Sequence, residues 1–168
     1  MAALTKSELV ASLQNEVRIL LHLCTKIDPA MLDYRPTPKQ RSALELLQYL
    51  SYMGPTMVQQ ARAGGFDPDA YGAARTAASA RDYEQVLEAI AAMPAAYERL
   101  FADMDDEEFR KDIVMFGRPA TKGSFLVNTV LSGYAAYRTQ LFLYLKACGR
   151  EELSTMNLWG GMDPPAPA

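Results

Sequence analysis

The segment VLSGYAAYRTQLFLYLKACG, residues 130–149, has the pattern of a long amphipathic helix that ends at a glycine. From Leu126 onward, apolar or small residues recur every three or four positions, which is the period of one helix face. That face comprises Leu126, Val130, Gly133, Tyr137, Leu141, Tyr144 and Cys148. Gly149 follows at the position where many helices end in a left-handed residue. The segment therefore predicts an inward-facing helix that begins near Ser124.

Two capping boxes mark the starts of two earlier helices. In TKSE, the Thr5 hydroxyl can accept from the backbone N–H of Glu8 while the Glu8 side chain reaches back to the cap. The sequence SALE, from Ser42 to Glu45, has the same pattern. These boxes predict a first helix over about residues 6–26 and a second helix that begins after Ser42.

Prolines interrupt the second and third predicted helices. Pro55 has no N–H to donate to the carbonyl of Ser51, so we expect a kink or a break there before the helix resumes as far as Gly64. The sequence SARD at residues 79–82 predicts the start of the third helix. Pro94 is expected to bend that helix.

The connections between the helices are long. Residues 28–41 contain three prolines and predict an ordered loop. Residues 64–79, rich in glycine and alanine, predict a connection that is mobile or lies over the mouth of a pocket. Residues 105–123 predict a further connection, with a short extended piece at 113–116. Four amphipathic helices without a convincing strand pair predict an all-α four-helix bundle over residues 1–150, followed by a partly ordered tail, residues 151–168.

Composition and charge argue against two classes of partner. Lys and Arg total 17 against 20 for Asp and Glu, so the net charge of −3 gives no general attraction to nucleic-acid phosphates. The longest apolar runs are well short of the roughly 20 residues that a membrane-spanning helix needs. The start of the chain also lacks the apolar core of a signal peptide. We therefore expect a cytoplasmic protein that binds neither nucleic acid nor a membrane.

Two stretches resemble the DinB/YfiT-like family of four-helix bundles. The fourth helix of its metal-binding members has the form LNHxxHHRGQLxxYLRxxG, and LSGYAAYRTQLFLYLKACG aligns with it without a gap. DYRPTPKQRSALELLQYL is similar to the family's entry into helix two, RP…RSxxELLxHL. The resemblance covers most of the chain and implies the same bundle.

The resemblance also implies where a metal would lie. In metal-binding members, one histidine of helix two and two of helix four coordinate a divalent metal, and these positions correspond to Tyr49, Gly133 and Tyr137. None of the three is a histidine. A neutral imidazole has a free lone pair at pH 7, whereas a phenol with a pKa of about 10 must first lose a proton. We therefore expect no metal and no cofactor at these positions.

The replaced positions have two interpretations. Tyr137 can lean back over Gly133 and fill the space of the former metal together with Tyr49. Alternatively, the tyrosine hydroxyls line a remaining pocket that binds a small polar molecule. Candidate ligand-binding residues are then Tyr49, Gly133, Tyr137 and Arg138, of which Arg138 also fits a structural ion pair.

Three hypotheses for function follow. In the first, the protein has lost the metal-dependent chemistry of the family, has no catalytic residue, and at most binds a small molecule. In the second, it is a metal-free, thiol-dependent transferase in which the hydroxyls of Tyr49 and Tyr137 donate to a thiolate. In the third, it is a self-associating module, a homodimer formed through Phe142 and Leu143 or through the tail around Trp159.

Overall fold

Four helical segments surround one apolar core in the computed structural model, which describes residues 4–165. The elements are α1 Lys6–Cys24, α2 Ala43–Ala63, α3 Pro68–Ser79, α4 Tyr83–Ala91, α5 Met93–Phe101, β1 Asp112–Met115, β2 Arg118–Thr121, α6 Lys122–Phe125 and α7 Ser132–Ala147. A π-helical segment, Leu126–Leu131, joins α6 to α7. Short helical turns lie at Pro29–Met31, Glu108–Arg110 and Met156–Gly160. The predicted all-α bundle is confirmed.

The first two helices lie at opposite corners of the bundle. α1 packs against α4, α5 and α7, and α2 packs against the same three helices from the other side. The proline-rich loop between α1 and α2 therefore crosses one end of the bundle. No helix in residues 4–165 has the length and apolar character that spanning a membrane requires.

The predicted helix ends have the expected capping contacts. Thr5 and Glu8 form a complete capping box at α1, and Ser42 and Glu45 form another at α2. At the end of α7, Gly149 has a φ of 99°, which places it in the left-handed region. Backbone bonds from residues 149 and 150 to the carbonyls of residues 146 and 145 complete a Schellman motif.

Of the kink or break predicted at Pro55, the break is wrong, because α2 continues from Ala43 to Ala63. Pro55 still leaves the carbonyl of Ser51 without its usual helical donor. Arg81 supplies a donor instead: its Nη1 lies 3.3 Å from the Ser51 carbonyl oxygen and 2.6 Å from the Ser51 hydroxyl. A side chain from the segment between α3 and α4 thus satisfies the carbonyl that the proline frees.

The third bundle helix is divided into α4 and α5. The division falls at Ala92, because Pro94 occupies the first turn of α5, where its missing N–H costs no helical hydrogen bond. Asp82 caps α4 in a box with Gln85. The predicted bend at Pro94 therefore takes the form of a helix boundary two residues earlier.

Residues 64–79, predicted to be a connection that is mobile or lies over the mouth of a pocket, contain the helix α3. Gly64 ends α2 in the left-handed conformation, with a φ of 87°. Asp67 then caps α3 by accepting from the N–H groups of Asp69 and Ala70, with Pro68 at the first helical turn. An alanine-rich sequence after such a cap favours a helix over a loop. The glycines in the segment led to the prediction of a connection instead. α3 packs on the outer side of α2.

A small β-hairpin follows the third bundle helix. β1 matches the predicted extended piece, and β2 pairs with it in antiparallel register, with Ile113 opposite Ala120. Phe116 and Gly117 form the two-residue turn, both with positive φ. The second strand was not predicted because RPAT lacks an alternating apolar pattern and contains Pro119.

The π-helical segment changes which face of the fourth helix is buried. Leu126 and Val130 face the core as predicted, but the next buried positions are Tyr134 and Arg138, not Gly133 and Tyr137. A π-helical turn takes in one extra residue, so every later side chain is displaced by one position around the helix. The predicted inward face is therefore wrong at Gly133 and Tyr137, whereas Leu141 and Tyr144 are buried as predicted.

Two tyrosines meet at the centre of the core. Tyr97 of α5 and Tyr134 of α7 are fully buried, with their hydroxyl oxygens 2.7 Å apart. Tyr134 donates to the sulfur of Met93 at 3.3 Å, so Tyr97 is the donor to Tyr134. Both hydroxyls occupy the space beside Gly54 of α2, where a β-carbon would overlap them. The glycine before Pro55 thus makes room for the central hydrogen bond.

The apolar residues considered for self-association differ in exposure. Phe142 is largely buried, whereas Leu143 and Trp159 are 58% and 66% exposed. The tail near Trp159 packs on α1, where Arg18 donates to the carbonyls of Gly160 and Gly161. The last three residues of the predicted tail, 166–168, lie outside the described residues.

We expect Gly54→Ala to lower the free energy of unfolding by about 1–3 kcal/mol, because the added methyl overlaps two hydrogen-bonded hydroxyls in a filled core. The matched control is Gly72→Ala in α3, where a β-carbon meets nothing within 4 Å. This control should be neutral or stabilising by about 0.4–1 kcal/mol. Urea denaturation of both variants checks the prediction, and a neutral Gly54→Ala would contradict the packing described here.

Candidate functional site

A cleft of about 320 Å³ lies between α2 and α3. Its α2 wall is formed by Glu45, Gln48, Tyr49 and Tyr52, whose three- and four-residue spacing puts them on one face of the helix. The opposite wall and the rim are formed by Arg75 and Ser79 of α3 and by Arg41, which immediately precedes the cap of α2. The lining therefore combines aromatic rings with two guanidinium groups.

Hydrogen bonds from α2 hold the end of α3 against the cleft. The Gln48 side-chain amide donates to the carbonyls of Ser79 and Arg81, at 3.3 and 2.7 Å. Arg81 returns the contact by donating to Ser51. The C-terminal end of α3, which contains Arg75 and Ser79, is thus fixed relative to the tyrosine face of α2.

Tyr49 and Tyr137 lie together, as the sequence predicts. Their ring centroids are 5.0 Å apart in an edge-to-face arrangement that joins α2 to α7. Both residues are half-buried. Burial raises the pKa of Tyr49, and the neighbouring Tyr137 hydroxyl raises it further. No hydrogen bond of ordinary geometry joins these two hydroxyls among the bonds of residues 4–165, so the contact is one of rings.

Gly133 has a different neighbour from the one expected. A β-carbon at Gly133 would meet the methyl and sulfur of Met53 at 3.2 and 3.9 Å. The prediction that the Tyr137 ring covers Gly133 is therefore wrong. Met53 projects from α2 into that space, and the Tyr137 ring packs against Tyr49.

Arg138 does not share the cleft with the tyrosines. Its side chain is buried and forms a two-point ion pair with Glu16 of α1, with distances of 2.8 Å from Nε and 3.2 Å from Nη2. The Trp159 ring lies 5.3 Å from the guanidinium carbon. The ion-pair interpretation of Arg138 is thus confirmed, and neighbouring positions 137 and 138 serve different sides of α7.

The two arginines of the cleft have no acidic partner. Within residues 4–165, neither Arg41 nor Arg75 has a carboxylate within 4 Å, and neither guanidinium donates a hydrogen bond. The Arg41 guanidinium carbon lies 4.2 Å from the centroid of the Tyr49 ring, a cation–π distance. Glu45, the acidic residue of the lining, is engaged elsewhere: it accepts from the N–H of Ser42 and from Arg35.

A second tyrosine contact closes one side of the cleft. The Tyr52 ring lies 5.7 Å from the Tyr49 ring and 5.6 Å from the Tyr71 ring of α3. The Tyr52 hydroxyl donates to the Tyr71 hydroxyl at 3.3 Å. Burial raises the pKa of Tyr52, so its phenol stays protonated at neutral pH. The aromatic wall is continuous from α7 through α2 to α3.

The structure is similar to two solved DinB-like proteins. One is YjoA of Bacillus subtilis, with a TM-score of 0.66 and 16% identity over 87% of this chain and 95% of that protein. The other is a protein of Bacillus cereus ATCC 10987, with a TM-score of 0.68 and 14% identity over 88% of this chain and 95% of that protein. The chain has the DinB-like fold. Comparisons with protein-family models and with curated proteins find no match.

The donor atoms at the metal positions implied by the resemblance do not fit a divalent metal. Within this DinB-like bundle, Tyr49 and Tyr137 present phenols and Gly133 presents no side chain. Burial raises the pKa of Tyr49 and so opposes the phenolate form that a metal would need. In the part of the chain that the structure describes, no three His, Cys, Asp or Glu side chains are grouped so that they could hold a metal ion.

Sequence reasoning identified Tyr49 but missed most of the cleft. Arg41 and Gln48 lie in the stretch that resembles the family's entry into helix two, and the spacing of Gln48 from Glu45 and Tyr52 could have placed it on the cleft face of α2. Arg75 gave no such signal, because its segment was predicted to be a connection. Tyr134 was missed because the helical period was carried unchanged through the π-helical segment.

The two neighbouring tyrosines of α7 should respond differently to loss of the hydroxyl. Tyr134→Phe leaves the Tyr97 hydroxyl without its acceptor in the core, so we expect a loss of about 1–3 kcal/mol in the free energy of unfolding. Tyr137→Phe keeps the ring contact and should change stability by less than about 0.5 kcal/mol. Chemical denaturation of both variants measures this, and equal losses would contradict the assigned roles.

Proposed function

We propose that this DinB-like bundle binds a small organic molecule in the cleft between α2 and α3, without a metal ion. The observation that carries the proposal is the pair of guanidinium groups, Arg41 and Arg75, that face an aromatic-walled cleft without an ion-pair partner in residues 4–165. Both side chains are exposed, and neither is engaged in an ion pair with another residue that the structure describes. Here they stay available to a ligand.

The dimensions and lining of the cleft support this proposal. Its volume of about 320 Å³ lies at the lower end of the range for ligand cavities, which suits a small metabolite. Tyrosine rings provide apolar contact area, and the arginines and Gln48 provide polar contacts that orient a ligand. A few polar groups within an aromatic wall are the usual composition of a small-molecule site.

The protonation of the tyrosines favours binding over proton abstraction. Burial raises the pKa of both Tyr49 and Tyr52, so at neutral pH these phenols are hydrogen-bond donors and not bases. The Tyr52 hydroxyl already donates to Tyr71, so the donors that remain for a ligand are those of Tyr49 and of the guanidinium groups. Such a set suits recognition of an acceptor-rich ligand.

The metal content of the purified protein is the first test of this proposal. Protein prepared without chelators and without a metal-charged resin should contain well below one equivalent of any transition metal by elemental analysis. One metal ion per chain, lost in Tyr49→Phe or Tyr137→Phe, would contradict the proposal. The phenylalanine variants keep the rings and remove only the oxygen donors.

Blocking the cleft is the second test. Ser79→Phe places a ring at the cleft, whereas Ala77→Phe adds the same ring at an exposed position of α3 outside the lining. In a ligand-observed NMR screen of small aromatic compounds, binding should be seen with wild type and with Ala77→Phe and be lost with Ser79→Phe. Compounds that bind all three proteins equally, or a screen without any binder, would refute the cleft as a ligand site. Thermal melting verifies that both variants are folded.

A further inference from the structure

We propose that the ligand of the cleft carries an oxyanion, a carboxylate or a phosphate, which Arg41 and Arg75 bind together. This inference rests on the proposed function and adds the chemical class of the ligand and the residues that select it. It is carried by the arrangement of the two arginines and by the commitment of the nearby carboxylate to other partners.

Arg41 is held in an orientation that suits an anion. Its guanidinium lies 4.2 Å from the centroid of the Tyr49 ring, and it is 5.9 Å from that of Tyr137. A guanidinium held over a ring by a cation–π contact keeps its N–H groups free for other acceptors. Those N–H groups match the two oxygens of a carboxylate or phosphate. The aromatic contact thus preorganises Arg41 without using its donors.

Arg75 approaches the same cleft from α3. It lies one helical turn before Ser79, and both residues line the cleft. The hydrogen bonds from Gln48 to the carbonyls of Ser79 and Arg81 hold this end of α3 in place. Two arginines from separate elements therefore converge on one space, so a single anion can bridge them.

The local charge balance leaves the arginines in excess. The charged residues of the lining are Arg41, Arg75 and Glu45. One Glu45 oxygen accepts from the N–H of Ser42 in the capping box, and the other accepts from Arg35. The N–H of Ser42 and, to a smaller extent, Arg35 and Arg41 lower the pKa of Glu45, so this single carboxylate offsets only part of the charge of the two cleft arginines. A ligand anion supplies the missing charge.

The experiment compares three probes of one shape. Benzoate and phenyl phosphate carry an oxyanion on a phenyl ring, and benzamide is the neutral counterpart. Binding of each is measured by NMR titration or calorimetry to wild type, Arg41→Gln, Arg75→Gln and the control Arg99→Gln. Arg99 lies exposed on α5, outside the cleft, so its variant makes the same change in net charge.

The expected result is that at least one anion binds about tenfold or more tightly than benzamide. Arg41→Gln and Arg75→Gln should each weaken that anion about tenfold, and Arg99→Gln should leave it unchanged. The ratio between benzoate and phenyl phosphate identifies which oxyanion the site prefers. Ser79→Phe should abolish binding of the anion.

Three results would overturn the inference. If benzamide binds as tightly as the anions and its binding is lost in Ser79→Phe, the cleft is a ligand site but does not select an oxyanion. Anion binding that Arg99→Gln weakens as much as the cleft variants would show a general charge effect. If none of the three probes binds, oxyanion recognition fails, and the broader fragment screen decides whether the cleft binds other molecules.

Discussion

The hydroxyls of Tyr97 and Tyr134 meet at the centre of the bundle in the space beside Gly54. This hydrogen bond joins α5 to α7 and requires α2 to approach without a side chain at that point. Burial raises the pKa of both phenols, so each remains a neutral partner in an apolar core. A polar pair in such a core is tolerated because each hydroxyl has a partner.

The residue that follows Gly54 links the core to the cleft. Pro55 leaves the Ser51 carbonyl without a helical donor, and Arg81 occupies that carbonyl and the Ser51 hydroxyl. The backbone carbonyl of Arg81 in turn accepts a hydrogen bond from the side-chain amide of Gln48. Gly54 thus makes room for the core pair, and Pro55 beside it frees the acceptor that ties the end of α3 to α2. The wall that contains Arg75 is a consequence of that tie.

The candidate site differs in its side chains from the metal site that the resemblance implies. At the positions that the resemblance assigns to metal ligands, Tyr49 and Tyr137 contact through their rings, and Met53 occupies the space beside Gly133. The polar groups of the region lie beyond these rings, at Arg41 and Arg75. In the proposed function, the ligand is therefore bound in the α2–α3 cleft and not at the bundle axis, and guanidinium N–H groups contact it in place of a metal ion.

The sequence by itself determined the capped starts of α1 and α2, because capping boxes are local properties of the chain, and its resemblance to the DinB/YfiT-like family implied the bundle fold. The resemblance also predicted that Tyr49 and Tyr137 lie together, because both align with ligands of one metal ion in the family, and the rings are in contact. Only the tertiary structure decided that Tyr134, and not Tyr137, enters the core, since a π-helical turn is stabilised by packing and leaves no periodic signal. The α2–α3 cleft also depends on the tertiary structure. The Ser51–Arg81 contact joins residues 30 positions apart, and no local sequence pattern encodes such a contact.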